Sequence, residues 1–483
     1  MLDKPSHIFD RESEWQALTQ FVNRIGQRSQ FGVVSGRRRQ GKTFLLESLA
    51  TASGGLYFGA TEATETDSLR QFATAITAHL AAPIPLRFAD WHEAIDYLFA
   101  EPRLRSAPVV IDEFPFLTKP SPALASILQH AIDRTAISRQ GPSILVCGSA
   151  QSVMGGLLSG QAPLRGRANL ELRLRPFNHW LAAQYWGIND PRLAAMVYAI
   201  VGGTPAYREF ISGDVPAGLD DFDPWVVRTV LNPTTPLFLE ARYLLAQEVV
   251  DHRETGLYPS VLSAIATGHN TRGGIASAVG RKSSDLTHYL NVLEDTGLVE
   301  RSEDAFRAGR STYRIAEPLI TFHQAIVRTD LGSLESGRAQ EVWARKQPQF
   351  LSQVLGPQFE SLSRAYTELA PVDLFGERPA EVRTGVITDH SRRTQIEIDV
   401  AAFSAAEPGK PRRLIALGEA KWGKTMGARE IERLRRAREL LTERGYDTRD
   451  TVLVCYSGTG FAKDIHEDNE IRLIGVNRLY AHA

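Results

Sequence analysis

The first third of the chain alternates short apolar runs with segments in which apolar residues recur at helical spacing. The apolar runs occupy residues 31–34, 56–58, 109–111 and 144–147. Each run has the length of a buried strand, and each intervening segment has the period of an amphipathic helix. Alternation of strand and helix predicts a parallel sheet covered by helices on both faces.

In the middle of the chain, apolar residues recur mainly at helical spacing. A segment rich in Pro and Asp at 216–236 is typical of a linker. After it we predict helices at 237–250, 258–267, 272–279 and 283–296, the last with Ser283 or Ser284 as N-cap and Gly297 as its stop. Two short strands then flank a basic segment. Helices followed by a hairpin indicate a winged helix-turn-helix.

The last part of the chain returns to a mixed pattern. A helix is predicted at 349–370, and strands at 395–400, 414–422 and 451–456. In the first of these strands the apolar residues alternate with Glu397 and Asp399, so the two carboxylates share one face. This pattern predicts a second α/β domain.

Residues 36–43 read G-x-x-x-x-G-K-T and follow directly on the first apolar run. The glycines let the backbone bend round an anion, and the N–H groups of the following helix start point at its charge. Lys42 can reach the β- and γ-phosphates of a nucleotide, and the Thr43 hydroxyl can ligate Mg2+. We therefore expect an ATP site. Its cradle comprises Gly36, Gln40, Gly41, Lys42 and Thr43.

Two acidic residues, Asp112 and Glu113, follow the apolar run 109–111. Ligands of open α/β sheets bind at the carboxyl ends of the strands. Asp112 can therefore hold the magnesium ion, as the acid of a Walker B strand does. Glu113 is placed to orient or deprotonate the water that attacks the γ-phosphate. A helix-capping aspartate is the alternative, but the position after the phosphate loop favours catalysis.

Further polar residues could act on the γ-phosphate. Ser149 follows the run 144–147 and could sense the phosphate, although an ordinary strand-ending turn would also explain it. Arg165 or Arg167 could supply the cationic finger that neutralises the transition state. The sequence does not choose between these two arginines.

Length, net charge and cysteine count exclude some classes of protein. The 483 residues exceed what one hydrophobic core organises, so several domains are expected. A net charge of −1 gives no overall attraction to nucleic acid, so any such binding needs a local patch. Cys147 and Cys455 are the two cysteines, which excludes a disulfide framework or a cysteine-based zinc site. No signal-peptide or membrane-helix pattern is visible, so we expect a cytoplasmic protein.

The phosphate loop, Asp112-Glu113, Ser149 and the Arg165–Arg167 segment together resemble a prokaryotic, largely archaeal ATPase family of the AAA-plus and signal-transduction ATPase group. Residues 9–12 (Phe-Asp-Arg-Glu) resemble its N-terminal motif, and residues 202–207 resemble the Gly-Gly-x-Pro element of its helical lid. The resemblance implies ATP hydrolysis. It also implies that Arg11 and Pro205 lie near the adenine base. Such ATPases carry a restriction-endonuclease-like domain of unassigned function after their winged helix.

Asp399, Glu419 and Lys421 form the D…E-x-K arrangement of PD-(D/E)XK restriction-endonuclease-like enzymes. The two carboxylates can hold Mg2+, and the lysine can position the attacking water or neutralise developing charge. Glu360 resembles the additional acidic ligand that some of these nucleases place on their first helix. This fold also serves as a binding or dimerisation module, so cleavage is one of two interpretations.

Two surfaces could meet double-stranded DNA. On the third helix of the predicted winged helix, the exposed face would enter the major groove while the basic wing touches phosphate; alternatively, the winged helix is a rigid spacer or a protein-contact module. The face consists of Arg281, Lys282, His288 and Asn291.

The second surface lies on the helix after the second acidic strand. An arginine stripe there could follow a phosphate backbone, or it is a solvated face paired with neighbouring glutamates. The stripe consists of Arg429, Arg433 and Arg436.

We thus predict a multidomain α/β chain: a P-loop ATPase core with a parallel sheet (1–175), a helical lid and linker (176–236), a winged helix (237–330) and a PD-(D/E)XK nuclease-like domain (331–483). The expected function is ATP binding and hydrolysis coupled to DNA, with a Mg2+-dependent nuclease gated by the ATPase. The alternative is a nucleotide-operated switch whose C-terminal domain binds DNA or protein without cutting. Assembly into a homo-oligomer is compatible with either.

Overall fold

The computed structural model describes residues 2–24, 29–138, 141–149, 151–160, 162–249 and 256–481, with side chains described outside 136–138 and 151–153. The chain divides into two compact units, Met1–Pro176 and Phe177–Ala483.

The first unit is built on five parallel strands in the order β2-β3-β4-β1-β5. The strands are β1 (Gln30–Ser35), β2 (Leu56–Gly59), β3 (Pro108–Asp112), β4 (Ser143–Gly148) and β5 (Leu170–Arg173). The helices are α1 (Glu12–Val22), α2 (Lys42–Ser53), α3 (Glu65–His79), α4 (Trp91–Ala100), α5 (Pro102–Arg105), α6 (Pro115–Thr118), α7 (Leu124–Ser138) and α8 (Gln151–Gly156). The predicted parallel sheet is confirmed.

Both faces of this sheet are covered. On β3 the side chains of Val109 and Ile111 join one hydrophobic cluster, whereas Val110 between them joins the other. Successive residues of a strand point to opposite faces, so a continuous apolar run is what a sheet buried on both sides requires. In the first helix, Trp15, Leu18 and Phe21 are buried, as their helical spacing predicts. Ile25 continues the same spacing and lies outside the described residues.

The second unit begins with helices and one hairpin. The helices are α9 (His179–Trp186), α10 (Pro191–Val201), α11 (Ala206–Phe210), α12 (Phe222–Arg228), α13 (Pro236–Glu248), α14 (Leu257–Ala266), α15 (Arg272–Val279) and α16 (Thr287–Asp295). The hairpin joins β6 (Val299–Glu303) to β7 (Ser311–Ile315) in antiparallel register. Three helices followed by a hairpin is the arrangement that the sequence predicts for this segment. Val250, the predicted end of α13, lies outside the described residues.

Two local predictions in this part were wrong. The segment 216–236 is not a simple linker, because it contains α12, whose Phe222, Trp225 and Val226 are buried. Their spacing places all three on one helical face. The third helix of the predicted winged helix begins only at Thr287 and has no side-chain cap, because the Ser284 hydroxyl bonds to its neighbour Asp285 instead.

The rest of the second unit is a mixed sheet with helices. Its remaining helices are α17 (Pro318–Phe322), α18 (Leu331–Glu335), α19 (Ala339–Gln349), α20 (Gly356–Leu369), α21 (Val372–Phe375), α22 (Ala428–Glu443) and α23 (Val476–Tyr480), with π-helical turns at His323–Val327 and Phe350–Leu355. The strands are β8 (Glu381–Asp389), β9 (Thr394–Phe403), β10 (Leu414–Lys421), β11 (Val452–Ser457) and β12 (Ile471–Gly475). Their order is β12-β11-β10-β9-β8, with β8, β9 and β10 antiparallel and β10, β11 and β12 parallel.

The loop of the hairpin packs on the edge strand β8. The Ala305 N–H donates to the Thr384 carbonyl at 2.9 Å, and the Arg307 guanidinium donates to the Thr388 hydroxyl at 2.6 Å. A Cβ atom added at Gly385 would lie 2.6 Å from the Phe306 ring, so the contact requires glycine. This part of the predicted wing is therefore engaged within the chain, and Arg307 is not presented to a phosphate backbone.

One hydrophobic cluster runs through the second unit. It contains Trp186 of α9, Leu262 of α14, Phe359 of α20 and Val454 of β11. The predicted lid, winged helix and C-terminal domain thus share one hydrophobic core. The residue boundaries predicted between these three segments stay predictions. Within the described ranges, no helix combines the length and apolar content that crossing a bilayer requires.

Candidate functional site

The phosphate loop lies between β1 and α2. Gly41 has φ 84° and Gly36 has φ 149°, backbone conformations that favour glycine. A Cβ at Gly36 would also lie 2.6 Å from the Leu174 carbonyl oxygen, so no side chain fits there. The Lys42 ammonium donates to the carbonyls of Gly36 (2.8 Å) and Arg37 (3.0 Å), which holds its charge at the loop. Gln40 is buried in the same loop.

Asp112 ends β3 beside this loop. Its Oδ2 accepts hydrogen bonds from the Thr43 hydroxyl at 2.6 Å and from the Tyr57 hydroxyl at 2.9 Å. A hydroxyl and a carboxylate oxygen in contact are a donor set that suits Mg2+, so Thr43 and Asp112 fit the metal that an ATP site would use. Tyr57 was not predicted. It lies on β2, which pairs with β3, and burial together with the Asp112 charge raises its pKa.

Glu113 follows Asp112 with φ 51°, a left-handed conformation that is uncommon for a side chain of this size. The Ser149 hydroxyl, after β4, lies 3.1 Å from both carboxylate oxygens of Glu113. Because β3 and β4 are neighbours in the sheet, the structure brings these two predicted residues together. Their roles at a γ-phosphate stay predictions.

The predicted arginines lie in different settings. Arg167 forms a two-pronged ion pair with Asp133, with both N–O distances at 2.8 Å, and Arg165 is exposed and donates to the Gly160 carbonyl. Arg11 donates to the Arg175 carbonyl at 2.8 Å and pairs with Glu14. The finger is therefore still unassigned.

Pro205, the other residue expected near the adenine base, belongs to the second unit. There it is the N-cap of α11. Its place near the base, like that of Arg11, remains a prediction.

The second candidate centre lies on the mixed sheet. The antiparallel register places Val400 of β9 opposite Gly418 of β10. The next residues along the two strands, Asp399 and Glu419, therefore lie across from each other. The Lys421 ammonium bridges them, at 3.4 Å from Asp399 Oδ2 and 2.9 Å from Glu419 Oε1. The structure thus brings the three predicted residues together. Asp399 Oδ2 also accepts the Ala420 N–H at 2.8 Å.

The two carboxylates of this centre are buried, whereas Lys421 is about a third exposed. Burial and the Asp399 charge raise the pKa of Glu419, and the same two causes raise the pKa of Glu360 to about 8. Burial alone would lower the pKa of Lys421, but the Asp399 and Glu419 carboxylates outweigh it and raise that pKa. Acidic groups with raised pKa values in one place indicate a site that favours added positive charge.

Across the described ranges, no group of three or more His, Cys, Asp or Glu side chains forms a metal site. Mg2+, however, is commonly held by one or two carboxylates together with water and substrate phosphate. Asp399 and Glu419 supply such a pair, and Glu419 Oε2 is buried with no hydrogen-bond partner among the described residues. These two residues therefore fit the ion, whereas Glu360 as a direct ligand stays a prediction.

Two arginines of the stripe on α22 are paired within the chain, and one pair, Arg436–Glu439 at 3.1 Å, is of the kind that the solvated-face alternative expects. Phosphate tracking by this stripe stays a prediction. The Arg433 guanidinium donates to Glu419 Oε1 at 2.6 Å, and Arg436 pairs with the buried Asp389 at 2.8 Å. Arg429 is exposed. Arg433 was also not predicted as part of the acidic centre, because a helix face gives no sign of which strand residue it meets.

The residues proposed for the major groove are exposed. Arg281 and Lys282 precede α16, and His288 and Asn291 lie on it. The structure therefore leaves this face accessible while the hairpin loop is packed on β8.

The parallel sheet, the phosphate loop and the Thr43–Asp112 pair define the first unit as a P-loop ATPase. The family described as "ATPase domain predominantly from Archaea" matches residues 8–207. This segment is therefore similar to the ATPase domains of that family, and it carries the phosphate loop of a nucleotide-binding ATPase.

Three known proteins are similar to about two thirds or more of the chain. An uncharacterized protein of Methanocaldococcus jannaschii, MJECL04, is 26% identical over 332 residues, which is 68% of this chain and 70% of that protein. The Walker-type ATPase PABY2304 of Pyrococcus abyssi has a TM-score of 0.48 at 18% identity, over 66% of this chain and 97% of its own. The ORC2 protein of Aeropyrum pernix, in ADPNP–ADP complexes, has a TM-score of 0.43 at 14% identity, over 72% and 97%.

Proposed function

We propose that this chain is an ATP-driven enzyme that acts on DNA, and that its mixed sheet carries a Mg2+-dependent phosphodiesterase centre. The observation that carries the proposal is the Lys421 bridge between Asp399 and Glu419. Bound Mg2+ would polarise a scissile phosphate and lower the pKa of a water molecule. Asp399 and Glu419 would hold the ion, and Lys421 would neutralise charge that develops on the phosphate.

ATP hydrolysis would use the first unit. Lys42 would bind the β- and γ-phosphates, and Thr43 with Asp112 would hold the nucleotide's magnesium. Glu113, oriented by Ser149, would activate the attacking water. The Thr43–Asp112 and Ser149–Glu113 hydrogen bonds, made by adjacent residues at the end of β3, support a single constellation.

Coupling between the ATPase and the centre is supported inside the second unit. The Arg192 guanidinium on α10 donates to the Gly458 carbonyl at 2.6 Å and lies 5.1 Å from the centre of the Trp422 ring. His179 on α9 bonds to the Leu479 carbonyl at 2.7 Å. A displacement of these lid helices would therefore be transmitted to the sheet that holds Asp399 and Glu419.

A plasmid assay tests the proposal. Supercoiled plasmid incubated with the full chain, Mg2+ or Mn2+, and ATP should be nicked. Asp399→Ala should abolish nicking while leaving ATP hydrolysis within about twofold, because it removes a metal ligand and no part of the phosphate loop. Lys42→Ala should abolish ATP hydrolysis, and Lys119→Ala, a surface lysine paired with Glu62, is the matched control. Intact plasmid under all metal and nucleotide conditions would refute the nuclease.

A second candidate is a nucleotide-operated switch that binds DNA or protein without cleaving. One observation favours it: Arg433 and Lys421 already neutralise Glu419, as they would in a structural ion-pair network. Electrophoretic mobility shifts that persist in Asp399→Ala/Glu419→Ala but are lost in Lys42→Ala, with no nicking by wild type, would support the switch.

A further inference from the structure

A cavity of about 480 Å³ lies within the second unit, away from both candidate centres. Its volume falls in the range of about 300–1,000 Å³ that ligand pockets occupy. Helices α13 and α14, the π-helical turn His323–Val327 and the start of α18 enclose it. The walls are largely apolar and include Ala241, Leu245, Val249, Tyr258 and Leu331.

Two buried polar side chains from the π-helical turn line this cavity. His323 is 8% exposed and Gln324 is 5% exposed. His323 Nε2 and Gln324 Oε1 are buried and have no hydrogen-bond partner among the described residues. Buried polar atoms are nearly always paired, so each one without a partner needs an explanation. Single π-helical turns are also frequent at functional sites.

Two cationic residues, Arg242 and Arg328, complete the lining. Both are exposed, and Arg328 donates to the Pro259 carbonyl at 3.1 Å. None of the described residues that line the cavity carries a carboxylate. Burial and these two guanidinium groups lower the pKa of His323 to about 4, so the imidazole is neutral near pH 7. The cavity therefore offers positive charge from the arginines beside neutral buried hydrogen-bonding groups.

We propose that this cavity is a binding site for a small organic carboxylate that has a flat apolar body and an N–H donor. Arg242 and Arg328 would bind the carboxylate. The apolar body would pack among Leu245, Val249 and Tyr258. The N–H group would donate to Gln324 Oε1, for which no described residue supplies a donor. The proposal does not depend on a nuclease or on ATP hydrolysis, because none of these residues belongs to either centre.

Calorimetric titration of the full chain with indole-3-acetate tests the site. This probe has a carboxylate, a flat ring system and one N–H group. We expect saturable binding at one site per chain. Indole-3-acetamide, which has the same shape but no charge, should bind about tenfold more weakly, since it loses the charge-assisted contacts with the arginines.

Two arginine substitutions test whether the probe binds in this cavity. Arg242→Ala and Arg328→Ala should each weaken binding about tenfold. Arg338→Ala, another exposed arginine of this unit, should leave it unchanged. The two indole probes are compared on wild type, so that comparison does not depend on a variant folding. Failure of indole-3-acetate to bind saturably, equal affinity for the acid and the amide, or binding unaffected by both substitutions would each overturn the proposal.

Discussion

Glu113 combines an unfavourable backbone conformation with a fixed side chain. Its φ of 51° lies in the left-handed region, and its carboxylate is held by Ser149. Left-handed conformations of non-glycine residues cost about 1–3 kcal/mol and occur often at active sites. A role in catalysis would explain why a glutamate is present at a position that Asn or Gly would occupy with less strain.

Glu113→Asn tests this role. Asparagine tolerates the left-handed conformation, so the melting temperature should stay unchanged or rise. ATP hydrolysis should fall about 100-fold or more, because the group that activates water is lost. Phosphate release and thermal unfolding measure the two effects. Glu62→Asn, at an exposed glutamate of the same unit, should leave hydrolysis unchanged; an active Glu113→Asn enzyme would contradict the assignment.

The sequence predicts part of this site for a physical reason. The phosphate loop is contiguous, so the positions of Gly36, Lys42 and Thr43 follow from a single motif. The contacts of Tyr57 with Asp112 and of Ser149 with Glu113 depend on which strands are neighbours. Strand order is not visible in local periodicity, so these pairings became evident only from the fold.

His323 makes the stability of the second unit depend on pH. Its pKa is lowered from 6.5 to about 4 in the folded chain. Between those values the unfolded state binds more protons, so the free energy of unfolding should decrease as pH falls from 6.5 toward 4. The full loss is about 3 kcal/mol.

Urea unfolding at pH 7 and pH 4.5 measures this dependence. His323→Gln removes the titrating group and should reduce the difference between the two pH values. His466→Gln, at an exposed histidine, should leave the difference as in wild type. Equal pH dependence in His323→Gln and wild type would show that other groups cause it.

At the scale of elements, the hairpin loop and β8 form one packed contact. The Ala305–Thr384 hydrogen bond extends the pairing at the sheet edge, and Gly385 allows Phe306 to approach. An edge strand covered in this way is protected from pairing with other chains. The contact also limits the hairpin as a DNA-binding wing, which leaves the α16 face as the remaining candidate surface.

Gly385→Val tests the contact. The valine side chain cannot fit beside the Phe306 ring, so the loop should separate from β8 and become susceptible to limited proteolysis near residues 304–310. Gly332→Ala is the control, because a Cβ there meets nothing within 4 Å, and its digestion pattern should match wild type. An unchanged pattern for Gly385→Val would indicate that the loop is not held by this packing.

Elements with a continuous apolar pattern were predicted from the sequence, and α12 was not. Strands β1 to β4 of the first unit each contain a short apolar run, so their burial is evident from composition alone. The segment around α12 is rich in Pro and Asp, and its Phe222 and Trp225 are buried against residues distant in sequence. Long-range packing therefore outweighed the local signals for a linker.

For the whole molecule, the lid helices are part of the same unit as the mixed sheet. The sequence places the lid with the ATPase, because it follows the ATPase motifs in the chain. Within the second unit, α9 contacts α23 through His179, and Arg192 of α10 contacts Gly458 and Trp422, which follow β11 and β10. The segment that the family match includes up to residue 207 thus extends past the boundary between units at Pro176.

This arrangement predicts a single response of lid and sheet to nucleotide. Hydrogen exchange on adding ATPγS should change both in α10 and in residues 420–422 and 457–460 of wild type, and in neither region of Lys42→Ala. Arg192→Ala removes the hydrogen bond to Gly458 and the stacking on Trp422, so α10 should still respond while the sheet residues respond at most about half as much. Arg449→Ala, at an arginine that is 85% exposed, should behave as wild type. A full response of the sheet in Arg192→Ala would show that nucleotide reaches it by another route, since this contact would then be dispensable.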